Sequence, residues 1–213
     1  MRKRLTVKDL KNLKGKKQLV LILVKSVEEA LAAEKVGIEM VGTGAPGKYT
    51  NPHNHPNFEE VIKIRQAAPN TFMHYGAPDT LYPTLDKAKE LAFKILEYDF
   101  DMFYCHRSTE IVKSLYKDGV PCLGHVGLIP SRTTWTGGYK AVGKTAKEAM
   151  LVFNKCLQFQ DAGAVAIEME CVPHKVASAI SKRVEPTVLS LGSGSGCDVQ
   201  YLFGCDILLT TIG

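Results

Sequence analysis

Three short motifs decide the fold of this sequence: Gly-His-Val-Gly-Leu-Ile-Pro at 124–130, Gly-Gly-Tyr-Lys at 137–140 and Glu-Met-Glu-Cys-Val-Pro at 168–173. The first and the third each follow a short apolar run, where a parallel strand would pass into a loop. A histidine and a carboxylate are therefore expected at the ends of two successive strands. An α/β barrel places its reactive groups at that end of its strands.

The rest of the chain alternates strand-like and helix-like segments. Ser26 and Thr145 occupy N-cap positions of two predicted helices, and Glu148 completes a capping box with Thr145. Apolar runs of strand length occur at 19–24, 38–42, 71–75, 100–105, 121–125, 164–169, 187–191 and 206–210.

Eight such units predict an α/β protein with a (β/α)8 TIM barrel, in which residues 1–213 form one domain. An open doubly wound sheet is the alternative, although no Gly-x-Gly-x-x-Gly follows the first strand. The last predicted strand runs to 210, close to the end of the sequence. We therefore expect the eighth helix to be missing from this chain.

Composition excludes several other classes of protein. Apolar residues make up 45% of the 213 residues and charged residues 23%, which is typical of a folded globular protein. The net charge of +5 comes largely from basic residues before Gln18, and the absence of interleaved aromatic residues favours a solvated segment over a nucleic-acid-binding arm. The run at 19–24 is too short to span a membrane, and no secretory signal follows the basic start. Six cysteines without C-x-x-C spacing predict reduced thiols and a cytoplasmic location.

The motifs at 124–130, 137–140 and 170–173, taken together, resemble the ketopantoate hydroxymethyltransferase family, whose members are barrels of the phosphoenolpyruvate/pyruvate superfamily. The resemblance covers nearly the whole chain. It implies a homo-oligomeric enzyme that adds a hydroxymethyl group from methylenetetrahydrofolate to a 2-oxo acid. In this family a metal, usually magnesium, chelates the keto acid and acidifies its C3 proton. Glu170 matches the family's base, and His125 matches a histidine expected to hydrogen-bond the substrate.

Several positions depart from the family pattern. The family's two metal-binding aspartates fall on Thr43 and Gly76, and its Lys-x-Glu pair falls on Tyr104 and His106. The hard oxygen ligands that magnesium prefers are therefore missing from these positions. The scaffold is expected to match the family, whereas the metal chemistry is expected to differ.

The remaining candidate residues lie at predicted strand ends and in the loops that follow. Lys140 is a candidate partner of a substrate carboxylate or of Glu170, and a solvated loop lysine is the alternative. Ser193 lies in a Gly/Ser loop at 192–196, where backbone N–H groups could hold an anion. The predicted substrate contacts are Thr43, Gly44, Tyr104, Lys140 and Ser193.

A metal site of a different kind is also compatible with the pattern. Side chains alternate along a strand, so His74, His106, His125 and Glu170 are expected to converge at the strand ends. Three imidazoles and a carboxylate suit zinc, iron or manganese, which makes His106 and His74 candidate metal ligands. Histidines that only hydrogen-bond the substrate or the core are the alternative. Glu168 shares a face with Glu170, and we expect it to have a supporting role.

Three functions remain open at this point. The first is a divergent hydroxymethyltransferase that acts on a 2-oxo acid through an enolate. The second is a lyase or mutase of the same superfamily, which cleaves a C–C bond beside a carboxylate. The third is a non-catalytic ligand-binding relative. Residues 51–56, which include His53 and His55 and lie in a long loop at 43–57, are a candidate lid over the barrel mouth, and an ordinary polar loop is the alternative.

Overall fold

The computed structural model describes residues 3–44 and 56–208. Within them eight parallel strands follow one another around a closed barrel, and β1 pairs with β8. Most of the candidate lid, including His53 and His55, lies outside the described residues. The strands are β1 Leu19–Leu23, β2 Met40–Gly44, β3 Phe72–Gly76, β4 Met102–Tyr104, β5 Cys122–Gly127, β6 Ala166–Glu170, β7 Thr187–Leu191 and β8 Val199–Phe203.

Helices connect the strands and surround the barrel, which confirms the prediction of a TIM barrel. Ser26 caps α2 by accepting a hydrogen bond from the Glu29 N–H, and Thr145 and Glu148 form the expected capping box of α7. The helices are α1 Val7–Leu13, α2 Val27–Val36, α3 Phe58–Ala67, α4 Leu85–Glu97, α5 Thr109–Lys117, α6 Thr133–Thr136, α7 Ala146–Asp161, α8 His174–Ser181 and α9 Gly204–Ile207.

The predicted eighth strand at 206–210 is wrong. The eighth strand is β8, Val199–Phe203, and the short helix α9 follows it. Val199 and Tyr201 alternate into the barrel interior, as strand geometry requires, although Gln200 breaks the apolar run between them. Positions 209 and 210 of the predicted strand lie outside the described residues.

The strands separate two apolar cores. Residues on their inner face, such as Leu21, Met40 and Phe72, fill the barrel, whereas Val41 and Met73 on the outer face pack beneath the helices. Helix α1 contributes Leu10 to the inner core, so this helix covers the amino-terminal end of the barrel. The carboxyl ends of the strands are thereby left as the open end.

Asp198 fastens α1 to the amino-terminal end of the barrel. Its carboxylate accepts hydrogen bonds from Lys14 Nζ at 2.6 Å, from the Val188 N–H at 2.8 Å and from Ser181 Oγ at 3.1 Å. A carboxylate that is mostly removed from water needs such donors, because an unpaired buried charge is costly. The polar groups at this end are thus largely occupied in holding the fold.

Gly124 lets β5 pack closely against α7, and this contact provides a test of the packing. A Cβ at this position would lie 2.6 Å from Phe159 Cδ1. We expect Gly124→Ala to destabilise the protein by about 1–3 kcal/mol, because the ring of Phe159 is fully buried and cannot move away freely. Urea unfolding measures the change. Phe159→Leu makes room at the same place, so Gly124→Ala should lower the free energy of unfolding by less in the Phe159→Leu variant than in the wild type. Equal losses in the two proteins would contradict the assignment.

Candidate active site at the carboxyl ends of the strands

A cavity of about 340 Å³ opens at the carboxyl ends of the strands. It is lined mainly by inward-facing residues of β4, β5, β6 and β8 and by the loops that follow them. A wider depression of about 570 Å³ lies at the other end, but there Lys14 is already paired with Asp198. The residues that line the first cavity are Leu23, Lys25, Gly44, Tyr104, His106, His125, Ile129, Pro130, Ser131, Tyr139, Glu168, Glu170, Leu191, Tyr201, Phe203 and Cys205.

His125 is the centre of the polar residues in this cavity. Its Nδ1 lies 2.5 Å from the hydroxyl of Tyr104, and its Nε2 lies 3.2 Å from Glu170 Oε2 and 3.8 Å from Glu168 Oε1. The strand register explains the arrangement, because His125 pairs with Glu168 and Gly127 pairs with Glu170. Neither carboxylate lies in the direction that would make a hydrogen bond to Nε2. The structure thus brings the predicted pair Glu170 and His125 together and adds Glu168 to them.

Burial sets the electrostatics of this group. Desolvation raises the pKa of Glu168 to about 7, with the nearby imidazole of His125 opposing the rise. Burial disfavours the charged form of His125 as well, but Glu168 and then Glu170 outweigh this effect and raise its pKa. Burial also raises the pKa of Tyr104 well above its usual value, so its hydroxyl stays neutral. Raised pKa values at Glu168, His125 and Tyr104 therefore favour the protonated forms of all three groups.

The backbone around Glu170 is tightly constrained. Gly127 has φ 87°, and a Cβ there would lie 2.2 Å from the Glu170 carbonyl oxygen, which accepts a hydrogen bond from the Leu128 N–H at 2.9 Å. Cys171 has φ 50°, in the left-handed region that non-glycine residues seldom adopt. The two motifs at 124–130 and 168–173 thus meet through their backbones, and this contact fixes where the Glu170 side chain begins.

His106 lies in the cavity wall, two residues after β4. Its Nε2 is 3.0 Å from Asp79 Oδ1 and 3.2 Å from Ser131 Oγ, and its Nδ1 is 3.4 Å from the Tyr82 hydroxyl. Burial lowers the pKa of His106, and Asp79 opposes that effect. Asp79 and Ser131 are site residues that the sequence analysis missed. Each lies three or four residues beyond a strand, in a 3₁₀ turn that the motifs did not indicate.

His74 lies deeper in the barrel than the cavity. Its ring packs against Gly42, where a Cβ would be 2.5 Å from Cε1, and its Nδ1 has no hydrogen-bond partner among the described residues. Burial alone lowers its pKa to about 4. His74 is therefore a neutral core histidine at neutral pH. In the described part of the chain the group with metal-like spacing is His125, Glu168 and Glu170, which includes neither His74 nor His106.

The other predicted substrate contacts lie in different surroundings. Gly44 and Tyr104 line the cavity. Thr43 is buried and shares the outer face of β2 with Val41, away from the barrel interior. Its hydroxyl has no hydrogen-bond partner within the described residues.

Lys140 and Ser193 border an adjoining depression of about 500 Å³, which also reaches Glu170. The Ser193 hydroxyl accepts a hydrogen bond from the Val172 N–H and donates one to the Met169 carbonyl oxygen, both at 2.9 Å. The hydroxyl of Ser193 therefore ties together the loops that follow β6 and β7. Lys140 remains the side chain on this side whose charge suits an anionic ligand.

The strands form a closed parallel barrel, and a histidine and two carboxylates converge at their carboxyl ends. These features define the class of the protein, which is a (β/α)8 enzyme barrel. The family follows from the sequence of the whole chain. Residues 4–212 match the model of the ketopantoate hydroxymethyltransferase family, and the chain belongs to that family.

Named relatives agree with this assignment. The chain is 33% identical over 217 residues to the 3-methyl-2-oxobutanoate hydroxymethyltransferase of Thermus thermophilus, with 96% of this chain and 83% of the relative covered. It is 30% identical over 217 residues to the protein of the same name from Thermotoga neapolitana, covering 96% and 80%. These relatives are transferases, so the prediction of a hydroxymethyltransferase-type family is confirmed.

Solved structures extend the likeness of the fold. A putative phosphonomutase from Burkholderia cenocepacia superposes with a TM-score of 0.69 at 12% identity, covering 96% of this chain and 94% of that chain. A 2,3-dimethylmalate lyase of the PEP mutase/isocitrate lyase superfamily superposes with a TM-score of 0.67 at 12% identity, covering 96% and 82%. At such identities the likeness shows the fold and not the reaction. No helix in the described part of the chain is long and apolar enough to cross a membrane.

The magnesium site that the resemblance implies does not fit the residues present. The resemblance matches its two aspartates to Thr43, on the outer face of β2, and to Gly76, which has no side chain. The carbonyl oxygen of Gly76 lies so close to β2 that a Cβ on Gly44 would be 2.2 Å from it. Neither of these two positions offers a carboxylate, the kind of oxygen ligand that magnesium prefers, and Asp79, three residues beyond β3, is paired with His106.

The buried His74 predicts a specific dependence of stability on pH. Its pKa is about 4 in the folded protein, against about 6.5 in an unfolded chain, so the unfolded state binds the additional proton between these values. The free energy of unfolding should therefore fall by up to about 3 kcal/mol as the pH drops from 6.5 to 4. His74→Gln should remove this part of the loss, which urea unfolding at several pH values would show. His174→Gln, on the first turn of α8, is the matched control, and equal slopes in the two variants would contradict the assignment.

Proposed function

We propose that this protein transfers a hydroxymethyl group to a 2-oxo acid through an enolate, with Glu170 as the base. The observation that carries the proposal is the position of Glu170. Its carboxylate lies at the end of β6, with its side chain 13% exposed, and it borders the cavity and the adjoining depression. It is the carboxylate of the group that a substrate entering from the open end of the barrel would meet first.

In this proposal Glu170 takes a proton from C3 of the 2-oxo acid. The C–H bond breaks, its electron pair forms the enolate, and the proton stays on the Glu170 carboxyl group. His125 lies beside it, and its raised pKa favours a protonated ring that donates a hydrogen bond to the oxygen on which negative charge develops. The donor that the resemblance implies is methylenetetrahydrofolate, which would react with one water to give formaldehyde and tetrahydrofolate. The enolate carbon would then add to the formaldehyde carbon, and the alkoxide so formed would take the proton back from the Glu170 carboxyl group.

The remaining residues suit the binding of a small carboxylate. Lys25 lines the cavity and Lys140 borders the adjoining depression, so each of the two spaces that Glu170 borders offers a cation to a negative substrate group. Apolar side chains of Leu191, Tyr201 and Phe203 form much of the remaining wall. This wall suits the branched or short alkyl part of a 2-oxo acid and limits the access of water to the enolate.

The test is deuterium exchange at C3 of 2-oxoisovalerate, followed by proton NMR in D₂O, with chelator present and with added Mg²⁺. We expect exchange by the wild-type protein and a fall of about 10²–10⁴-fold in Glu170→Gln, because the amide cannot accept the proton. Glu97→Gln, an exposed acid at the end of α4, is the matched control and should leave the rate unchanged.

The one-carbon donor separates this function from its alternatives. Wild-type protein supplied with 2-oxoisovalerate and methylenetetrahydrofolate should form the hydroxymethylated acid. Exchange without this product would favour the lyase or mutase reaction, which shares the enolate. Absence of exchange with every 2-oxo acid tried, or an unaltered rate in Glu170→Gln, would remove the base assignment.

A further inference from the structure

We propose that His125, Glu168 and Glu170 form a binding site for a divalent transition-metal ion of the zinc type. The three residues each offer one ligand atom, and these atoms lie within 4.8 Å of one another. Two adjacent strands hold them, β5 and β6, whose register sets His125 beside Glu168. This place differs from the family's magnesium positions, which fall on Thr43 and Gly76 in this chain.

The Nε2 atom of His125 supplies an independent reason. This atom is buried and makes no hydrogen bond within the described residues, although the side chain aims it between two carboxylates. The opposite ring nitrogen, Nδ1, is held by the Tyr104 hydroxyl at 2.5 Å. Histidines that ligate metals through one nitrogen usually have the other nitrogen held by such a partner. The ring is therefore fixed with its Nε2 atom 3.2 Å from Glu170 and 3.8 Å from Glu168, free of a hydrogen bond to any described residue and directed at the position an ion would occupy.

The balance of charge in the cavity also favours a cation. Glu168 and Glu170 both line the cavity, and Lys25 is the only lysine or arginine among its described lining residues. Two carboxylates in a poorly solvated site repel each other, and a doubly charged ion offsets that repulsion. The cavity, of about 340 Å³, also leaves room for water on the open side of the ion.

The ligand types decide which ions fit. One imidazole and two carboxylates suit Zn²⁺, Mn²⁺ and Fe²⁺, whereas Mg²⁺ prefers an all-oxygen octahedron. Ligation would occupy the lone pair of Glu170 that the proposed reaction uses as its base, and it would replace the Nε2 proton of His125 that the reaction uses as a donor. The ion-bound protein should therefore be a resting form that does not catalyse exchange. Ion binding itself does not depend on the proposed function, so the two ideas can fail separately.

The experiment titrates the metal-stripped full chain with Zn²⁺ by calorimetry and with Co²⁺ by visible absorption. We expect one equivalent of either ion to bind, and Mg²⁺ not to compete. Glu168→Gln should weaken Zn²⁺ binding by about tenfold or more, because it replaces a charged carboxylate ligand with a neutral amide and keeps the shape of the side chain. His106→Gln is the matched control, since it removes an imidazole from the same cavity wall outside the group. Its affinity should equal that of the wild type.

Several results would overturn the site. The proposal is overturned if the wild-type protein binds neither Zn²⁺ nor Co²⁺. It is also overturned if Zn²⁺ affinity is unchanged in Glu168→Gln and lost in His106→Gln. A strong thiolate-to-cobalt band in the near ultraviolet would place the ion on a cysteine instead. Should Glu168→Gln fail to fold, ¹⁵N NMR of the wild-type histidines decides the matter. Zn²⁺ must then shift the ring nitrogen resonance of His125 and leave that of His106 in place; the reverse pattern rejects the site.

Discussion

Closure of the parallel sheet between β1 and β8 is the constraint on which the rest of this structure depends. Five residue pairs, from Leu19 with Val199 to Leu23 with Phe203, join the first strand to the last. Once the sheet is closed, every second residue of each strand faces one shared interior. Because the strands are all parallel, their carboxyl ends lie at the same end of the barrel. Side chains that are distant in sequence, such as Tyr104, His125 and Glu168, meet there without any loop having to bring them together.

The two ends of the barrel use their polar groups differently. At the amino-terminal end, Asp198 is satisfied by Lys14, Ser181 and the backbone of β7, and α1 covers the interior. At the carboxyl end, the Nε2 of His125 is buried without a hydrogen bond to any described residue, and it lies 3.8 Å from the buried carboxylate of Glu168. Burying such polar groups without hydrogen bonds lowers the stability of the folded state, and groups of this kind occur most often where a bound ligand or proton can interact with them. The polar groups at the amino-terminal end therefore stabilise the fold, whereas those at the carboxyl end are available to a ligand.

Much of the fold could be predicted from the sequence because its strands are short apolar runs between helices with clear caps. The predicted eighth strand is wrong because Gln200 interrupts the apolar run at 199–203, whereas the run at 206–210 is more continuous in sequence. Inside a closed barrel only Val199, Tyr201 and Phe203 need face the interior, so a polar residue on the outer face is tolerated. The candidate base and its histidine neighbour could also be predicted, since Glu170 and His125 stand in motifs whose glycines have local backbone roles.

The sequence by itself determined the order of the first seven strands and their helices, the end of the barrel at which the motif residues lie, and the family. These properties depend on local patterns and on motifs a few residues long. Only the tertiary structure decided which titratable groups touch. In the folded protein Glu168 lies beside His125, and His106 contacts Asp79 and Ser131. His74 lies in the core below the cavity. Those outcomes depend on strand register and on the depth of each residue in the barrel, and both are set by packing among segments far apart in the chain.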